Sequence, residues 1–554
     1  MGVVTATITG EKGTMDTTFE LLSIDILKEF NKIATAELRF IDGDIARQTF
    51  KVSEDEFFKP GKEIAISLKY EGKPKEDVQV FKGMVVNQSM ELNGTQGTTL
   101  SVALCDEAVK MTTVRKNAVH AGSDKAIIEN IIKTYEGREK GFIELPKVPE
   151  HTQMVQYYAT DWDFIVSRAE ANGYLVITDD GELSIVRPTV EKAGQKLKKL
   201  ELGTDEILDL TLQVNGRDQV HEVSSVGWDL VNKKQIKSGA SDEVKEAALA
   251  THLPTMANVA GGEKVTQVHA VPMENGELKA WSDARVVKSS LSVVRGWIMI
   301  HGDARYKVGD TIRLKGVPQK FSDNYVICGV RNEVTEGGWV THLQIGMDDD
   351  WLTSQSDVVA TQSAGLLPGI NGLQLGIVVA LSAGEAPEGR VRVNIPAFGE
   401  GKEAVWARLA SVDAGEKRGV FFRPKVGDEV VVGFFNDDPR QAVILGAMHS
   451  TTNETPLPVT RENKQQGIFT KSGKLVFDEV KETVTLSTAN KNEVVIDEKQ
   501  GLISLKDAND NQVELSKEGI KIISAKNLAI VAEKDLSIAA KGDVTIEGKK
   551  VDLI

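Results

Sequence analysis

The sequence predicts a mainly β protein. Its N-terminal half reads as tandem β-barrels with an inserted α/β layer. A further small barrel follows, and then a C-terminal intertwined triple-stranded β-helix, so the molecule is expected to be a homotrimer. Three observations carry this reading. Short runs with period-two alternation, such as Ile64-Ala65-Ile66-Ser67-Leu68 and Val391-Arg392-Val393-Asn394-Ile395, recur between Gly, Asn and Asp residues. A glycine-headed strand pair occurs three times. From Gly473 onward the chain is periodic and nearly free of aromatic residues.

The strand pair comes first. Pro60-Gly61-Lys62-Glu63-Ile64 leads to Val80-Phe81-Lys82-Gly83. Val308-Gly309-Asp310-Thr311-Ile312 leads to Val326-Ile327-Cys328-Gly329. Val426-Gly427-Asp428-Glu429-Val430 leads to Val443-Ile444-Leu445-Gly446. The paired glycines lie 22, 20 and 19 residues apart. Each copy reads as a turn that needs positive φ at glycine, then a strand, a loop and a second strand. Two barrels are expected at about 1–90 and 200–350, with an insertion at about 95–190, all within a first region of residues 1–357. Helices are expected after Ser123, a candidate N-cap, from Asp161 to about Asn172-Gly173, and from Asp242 to Ala250. Segments 358–372 and 451–472 read as linkers around a barrel at 373–450.

The C-terminal part, residues 473–554, opens with 19-residue units. Leu475, Val494 and Val513 correspond, as do Phe477, Ile496 and Leu515. The period then shortens to eight. Ile520, Leu528, Leu536 and Val544 form one row, and Ile522, Ile530, Ile538 and Ile546 the other. Val551 and Leu553 close the series one residue early. Eight residues make one short strand and a corner, which is too little to enclose a core in one chain. Three chains can supply the three faces of a prism, with these residues as its core. A plain antiparallel meander is the alternative. Ten such strand pairs, stacked at roughly 4.8 Å, would make a needle on the order of 50 Å long.

Composition bounds the function. The chain has 554 residues, 41% hydrophobic and 27% charged, which is ordinary for a multidomain globular protein. Its net charge of −15 argues against nucleic acid as the main partner. The two cysteines, Cys105 and Cys328, form no CxxC pair. No HExxH, GxSxG or P-loop is present. Gly399-Glu400-Gly401-Lys402 reads as a hairpin loop, because Glu403 follows where a phosphate loop needs Ser or Thr. Asp348-Asp349-Asp350 reads as a solvated run, Asp161 and Asp163 as helix-start residues, and Arg408 and Arg418 as surface charges. No histidine lies beyond His449. No catalytic residue, metal site or cofactor is expected. Met1–Thr9 lacks the features of a signal peptide, so synthesis in the cytoplasm is expected.

Several stretches resemble one family. Gly389-Arg390-Val391-Arg392-Val393-Asn394-Ile395-Pro396, Trp406-Ala407-Arg408-Leu409, the run from Gly419 to Val430, Phe434 to Arg440, and Leu445-Gly446 resemble the OB-fold domain of VgrG proteins and phage central spikes. Gln156-Tyr157, Thr160-Asp161-Trp162-Asp163-Phe164 and Arg168 resemble the tail-hub half of the same family, and the octads resemble its triple-stranded β-helix. The resemblance implies a homotrimeric, non-enzymatic spike of a contractile injection system. Its hub would dock on a hexameric inner tube protein and other baseplate components. A PAAR-like tip protein would cap the needle at Val551, Leu553 and Ile554. On firing, the spike would leave the baseplate, cross the target membrane transiently and deliver effectors. The interval from His449 to Gly473 is too short for the lysozyme domain of some phage spikes, and no toxin is expected after Ile554. The layout, including residues 50–116, looks closest to spikes of extracellular phage-tail-like particles. A type VI secretion VgrG is the alternative. A β-helical tailspike that degrades polysaccharide is a further one.

Overall fold

The computed structural model describes residues 2–552 apart from 73–76, 94–96, 136–138, 191–196, 218, 247–255, 263, 383–388 and 400–403. The expected loop residues Glu400, Gly401 and Lys402, the end of the helix expected at 242–250, and Leu553 and Ile554 lie outside the described residues. The chain divides into two compact units, Met1–Ala360 and Thr361–Ile554.

In the first unit, strands from both expected barrels belong to one sheet of thirteen strands. Its main path runs Ile207–Val214, Val294–His301, Gly338–Ile345, Asn324–Thr335, Glu20–Glu29, Thr35–Ile41, Gly97–Cys105, Val78–Asn93, Glu63–Tyr70, Val4–Gly10 and Gly13–Thr14. The antiparallel pairing of Asn324–Thr335 with Glu20–Glu29, Val330 opposite Lys28, joins the two halves. Alternation places one side of each strand inward. Ile24, Ile26, Leu38, Phe40, Ile64, Ile66 and Leu68 fill one core, while Ile298, Ile312, Leu314, Ile327 and Leu343 fill a second. Both cysteines are free, and burial pushes the Cys328 thiol up to about 12.

The three glycine-headed copies begin with the same four-residue turn. The N–H of Lys62, Asp310 and Asp428 donates to the carbonyl of Lys59, Lys307 and Lys425 at 3.0, 3.2 and 3.0 Å. The third residue is Gly61, Gly309 or Gly427, with φ of 93°, 90° and 94°. In the first two copies that glycine N–H then bonds the second strand of its own pair, at Val85 and Ile327. In the third it bonds Val378 of a different strand. An L-residue in this conformation is strained even where space is open, as it is around Gly61 and Gly427. Gly61→Ala and Gly427→Ala are each expected to cost about 1–2 kcal/mol. Gly446→Ala, without positive φ or a close neighbour, should leave the urea midpoint almost unmoved.

Inserted in this unit is a layer of helices Asp124–Ile132 and Asp161–Ala171. They pack with the ribbon Arg115–Ser123/Glu150–Thr160 and the sheet of Leu175–Asp179, Glu182–Val186 and Glu139–Ile143. Ser123 caps the first helix by accepting the Ala126 N–H, and the second ends at Asn172, before Gly173 with φ 77°. The helix expected from Asp242 is present over Asp242–Glu246. The longest helix, Asn275–Ser292, is not anticipated by the sequence reading.

In the second unit, Gln374–Leu381, Val391–Asn394, Ala404–Leu409, Ala442–Met448 and Glu429–Phe434 close into a barrel. Val378, Val391, Val393, Ile395, Val430, Val432 and Ile444 form its core. Seven strands between Gln465 and Ile523 then make one antiparallel meander in sequence order. This corrects the expectation of an intertwined helix from Gly473 onward. Through Ile523 the strands pair within the chain, so the 19-residue unit is two strands and two reversals. The reversals work because residues in the left-handed region recur at that spacing. Glu482 and Gly501 have φ of 55° and 61°, and Lys491 and Asp510 have 62° and 61°. No strand lies among the described residues beyond Ile523.

Candidate assembly surface

Cross-strand register gathers the apolar residues of the meander onto one face. Leu475, Leu486, Val494, Leu505, Val513 and Ile522 oppose one another in turn and form one row. Phe477, Val484, Ile496, Ile503, Leu515 and Ile520 form a parallel row. The opposite face carries Thr485, Ser504, Glu514 and Lys521, with Val476 and Val495 among them. Most of the apolar side chains are about half exposed in the single chain. The residues expected as needle core are more so. Ile520, Ile522, Leu528, Ile530, Leu536, Ile538, Val544 and Ile546 range from 54% to 73% exposed, and Val551 at the expected tip is 48% exposed. A contiguous apolar surface of this extent marks an interaction site. The structure thus brings Ile520 and Ile522 into the two rows and leaves the other six core residues beyond the sheet, without in-chain strand partners.

The tail-hub motif builds a set of buried polar ties. Thr160 caps its helix by accepting the Asp163 N–H at 3.0 Å, and its hydroxyl donates to the Asp163 carboxylate at 2.6 Å. Asp161 does more than the helix-start role expected of it. It accepts bonds from Lys116 and Tyr135, both 2.6 Å, and from Gln156 at 2.9 Å, tying the helix to the neighbouring ribbon. Burial pushes its carboxyl up, but these donors outweigh burial and hold it below the usual range. Asp124 follows the same rule. Burial raises it, while a two-bond pair with Arg168 at 2.7 and 2.9 Å, together with Asn172 and His151, brings it below the usual value. Groups with depressed folded pKa stabilise above the unfolded value near 3.9 and lose that contribution as pH falls through the folded value. The chain is therefore expected to lose stability steeply below about pH 4. In Asp161→Asn the slope of urea stability against pH in that window should be shallower.

At the centre of this unit Glu170 and Lys288 form an ion pair at 2.7 Å, with side chains 5% and 2% exposed. Glu170 also accepts from Asn31 at 2.9 Å and from the Leu352 N–H at 2.9 Å, and Lys288 lies 5.0 Å from the Trp351 ring centre. The pair thereby holds the helices Asp161–Ala171 and Asn275–Ser292 to the segment after the large sheet. Sequence reasoning missed both residues. The available signal was the Ala-Val-Ser-rich stretch before Ser292, whose serines turn inward. Ser282 bonds Ser225 at 2.7 Å, and Ser289 bonds Gln219 at 3.0 Å.

Of the remaining sequence candidates, Asp348, Asp349 and Arg418 are in ordinary ion pairs. Asp349 pairs with Arg285 at 2.9 Å, and Asp348 pairs with Arg295. Exposed Arg418 pairs with Asp413 at 2.7 Å. Among the described residues no group of three His, Cys, Asp or Glu could hold a metal ion.

Comparisons with known proteins fit this architecture. Residues 1–336 match the family model of the Alg8 N-terminal domain, and residues 374–449 match that of the type VI secretion system/phage-baseplate injector OB domain. The type VI secretion system spike protein VgrG3 of Vibrio cholerae is 28% identical over 198 residues, covering 28% of this chain and 19% of that protein. The spike protein VgrG1a of Pseudomonas aeruginosa is 25% identical over 218 residues, covering 37% of this chain and 33% of that one. The matches therefore span a third or less of these curated relatives. Among solved structures, the 43 kDa tail protein of prophage MuSo2 from Shewanella oneidensis superposes with a TM-score of 0.46 at 12% identity, over 62% of this chain and 99% of that one. A mainly β chain with a closed injector-type OB barrel is similar in this to the curated spike proteins it matches. The chain belongs to the family of the Alg8 N-terminal domain, and it is similar to VgrG and phage central-spike proteins.

Proposed function

We propose that three copies of this chain form the central spike of a contractile injection system. The exposed apolar series from Leu475 to Val551 carries the reading. Three copies turning these residues toward a common axis bury them, and one copy cannot. The role is structural rather than enzymatic, in keeping with relatives named as spike proteins. In this reading the first unit docks on a sixfold inner tube and the baseplate. The apolar end at Val551 carries a PAAR-like tip protein. Contraction of a sheath drives the needle through the target envelope with its effectors. The chain is made in the bacterial cytoplasm and travels outward only on firing.

Light scattering of the purified chain tests the proposal. The expected mass is three times the 60.3 kDa of one chain. A folded monomer overturns it. Deleting residues 547–554 is expected to abolish tip-protein capture in a pull-down while the trimer persists. A second reading, a VgrG of a type VI secretion system, draws on the type VI names of both relatives. A neighbouring gene set with a membrane-anchoring complex would favour it over a free particle.

A further inference from the structure

We infer that the first barrel of the unit Met1–Ala360 is open along one seam, and that the seam receives an extended strand of a partner protein, apolar at alternate positions with lysine or arginine beside them. The inference does not rest on the trimeric reading above, because every residue that forms the seam belongs to one chain. The large sheet curls round the core of Ile8, Ile24, Phe40, Ile64 and Ile66 without closing on itself. Val4–Gly10 and Glu20–Glu29 border one cleft of about 400 Å³, yet they do not pair with each other.

The phase of the hydrogen bonds shows which backbone groups are free. The Glu71 N–H donates to the Val3 carbonyl at 2.8 Å. Bonded and non-bonded pairs alternate along an antiparallel ladder. Thr5 and Thr7 therefore bond Lys69 and Ser67, while Val4, Ala6 and Ile8 turn their N–H and C=O groups to the other edge. On that edge the Ile8 carbonyl accepts the Met15 N–H at 2.9 Å, and Gly13–Thr14 covers Thr9 and Gly10. Among the described residues no backbone partner meets Val4 or Ala6 there. On the facing strand, pairing with Asn324–Thr335 stops at Ile24. Glu20 to Ser23 thus have Thr35–Ile41 on one side and the cleft on the other. Edge strands are commonly blunted by lysine or proline, and Val4–Gly10 contains neither.

The floor and rim of the cleft define what fits. Val4, Ala6, Met15, Phe19, Leu21 and Val334 line it, packed against the core but only partly buried. A strand lying between the two edges makes a ladder on each side and sends every second side chain onto this floor. From Val4 to Ile8 there is length for about four or five residues at roughly 3.3 Å each. Glu336 lines the cleft and Glu20 begins the facing strand. Both are exposed, and neither is in an ion pair among the described residues. Their charge favours a cationic flank on the occupant. The same carboxylates would oppose each other if two copies met seam to seam, which disfavours self-pairing at this edge.

Hydrogen–deuterium exchange of the full-length chain, resolved by residue through electron-transfer fragmentation, is the first test. The N–H groups of Val4 and Ala6 are expected to exchange about 100-fold faster than those of Thr5 and Thr7. The binding probe is a fluorescein-labelled peptide of about six residues, alternating valine and threonine and ending in lysine. It should bind saturably by fluorescence anisotropy and slow Val4 and Ala6 to the rate of their neighbours. The same peptide N-methylated at alternate residues cannot form the ladder and should not bind, a control that leaves the protein unaltered. Ala6→Pro should lose the binding with little change in the urea midpoint, since its N–H faces away from Glu63–Tyr70. Glu336→Lys should weaken binding about two- to fivefold. Val4 and Ala6 amides already protected in the purified chain overturn the inference. Protection that persists on dilution then means a barrel closed by itself, and protection lost on dilution means a second copy in the seam. Absent binding, or equal binding by the methylated peptide or by Ala6→Pro, overturns it too, and an unweakened Glu336→Lys overturns the cationic flank. None of these results alters the mass that tests the proposed trimer.

Discussion

Ile538→Asp is expected to fray the end of the needle and abolish injection, while Lys541→Asp leaves both intact. Ile538 lies in the row that also holds Ile522, Ile530 and Ile546, and in one chain it is largely exposed. In the proposed trimer three copies meet at the axis. Aspartate there would place three carboxylates together out of water, each desolvated and each repelled by the other two. Partial protonation relieves the repulsion but not the loss of apolar burial, so the cost is several kcal/mol per trimer. Lys541 belongs to the polar corner between octads, where either charge stays hydrated. The check has two readouts. Limited proteolysis should cut Ile538→Asp within residues 524–554 and spare Lys541→Asp. Light scattering should show both as trimers, because the meander face upstream is unchanged. Equal protease resistance of the two variants would show that the octads do not point to an axis.

Lys288→Met is expected to produce the largest loss of stability in the first unit, about 3–5 kcal/mol. The change keeps the apolar stem and removes the charge, which leaves Glu170 ionised at 5% exposure with only Asn31 and the Leu352 N–H as donors. Removing one partner of a buried pair costs more than the pair itself contributes, since the remaining charge stays desolvated. Glu170→Gln in the same background should recover part of the loss by removing that charge. Urea unfolding followed by tryptophan fluorescence reads this, because Trp351 and Trp162 lie in the affected region. A Lys288→Met midpoint within error of the parent would mean that the pair is dispensable. The buried face of the helix Asn275–Ser292 would then be held by its serines and by the core residues Val286, Val287 and Leu291.

Local chemistry was legible wherever one residue decides its own surroundings. Ser123 caps its helix because a hydroxyl before a first turn has only one good use there. Gly61, Gly309 and Gly427 head turns because the conformation needs glycine. The spacing of Leu475 through Leu515 placed the apolar residues on one face. The role of Asp161 was not legible, because its three donors come from positions 116, 135 and 156, which only the folded chain brings together. The helix Asn275–Ser292 escaped notice because periodicity is read from apolar side chains, and much of its buried face is Ser282, Ser289, Ser290, Ser292 and Lys288.

By itself the sequence determined that the chain is mainly β, that its C-terminal part repeats, and that its apolar series runs in two rows, since period two and equal spacing follow from backbone geometry alone. Tertiary structure decided how those strands pair. Five of the six reversals in the meander have a corner residue of positive φ. At Glu482, Lys491 and Asp510 that angle is positive although none of the three is glycine. Side-chain preference does not demand the left-handed region at such residues. The hydrogen bonds of the completed meander repay its strain, and they exist only once the neighbouring strands are in place.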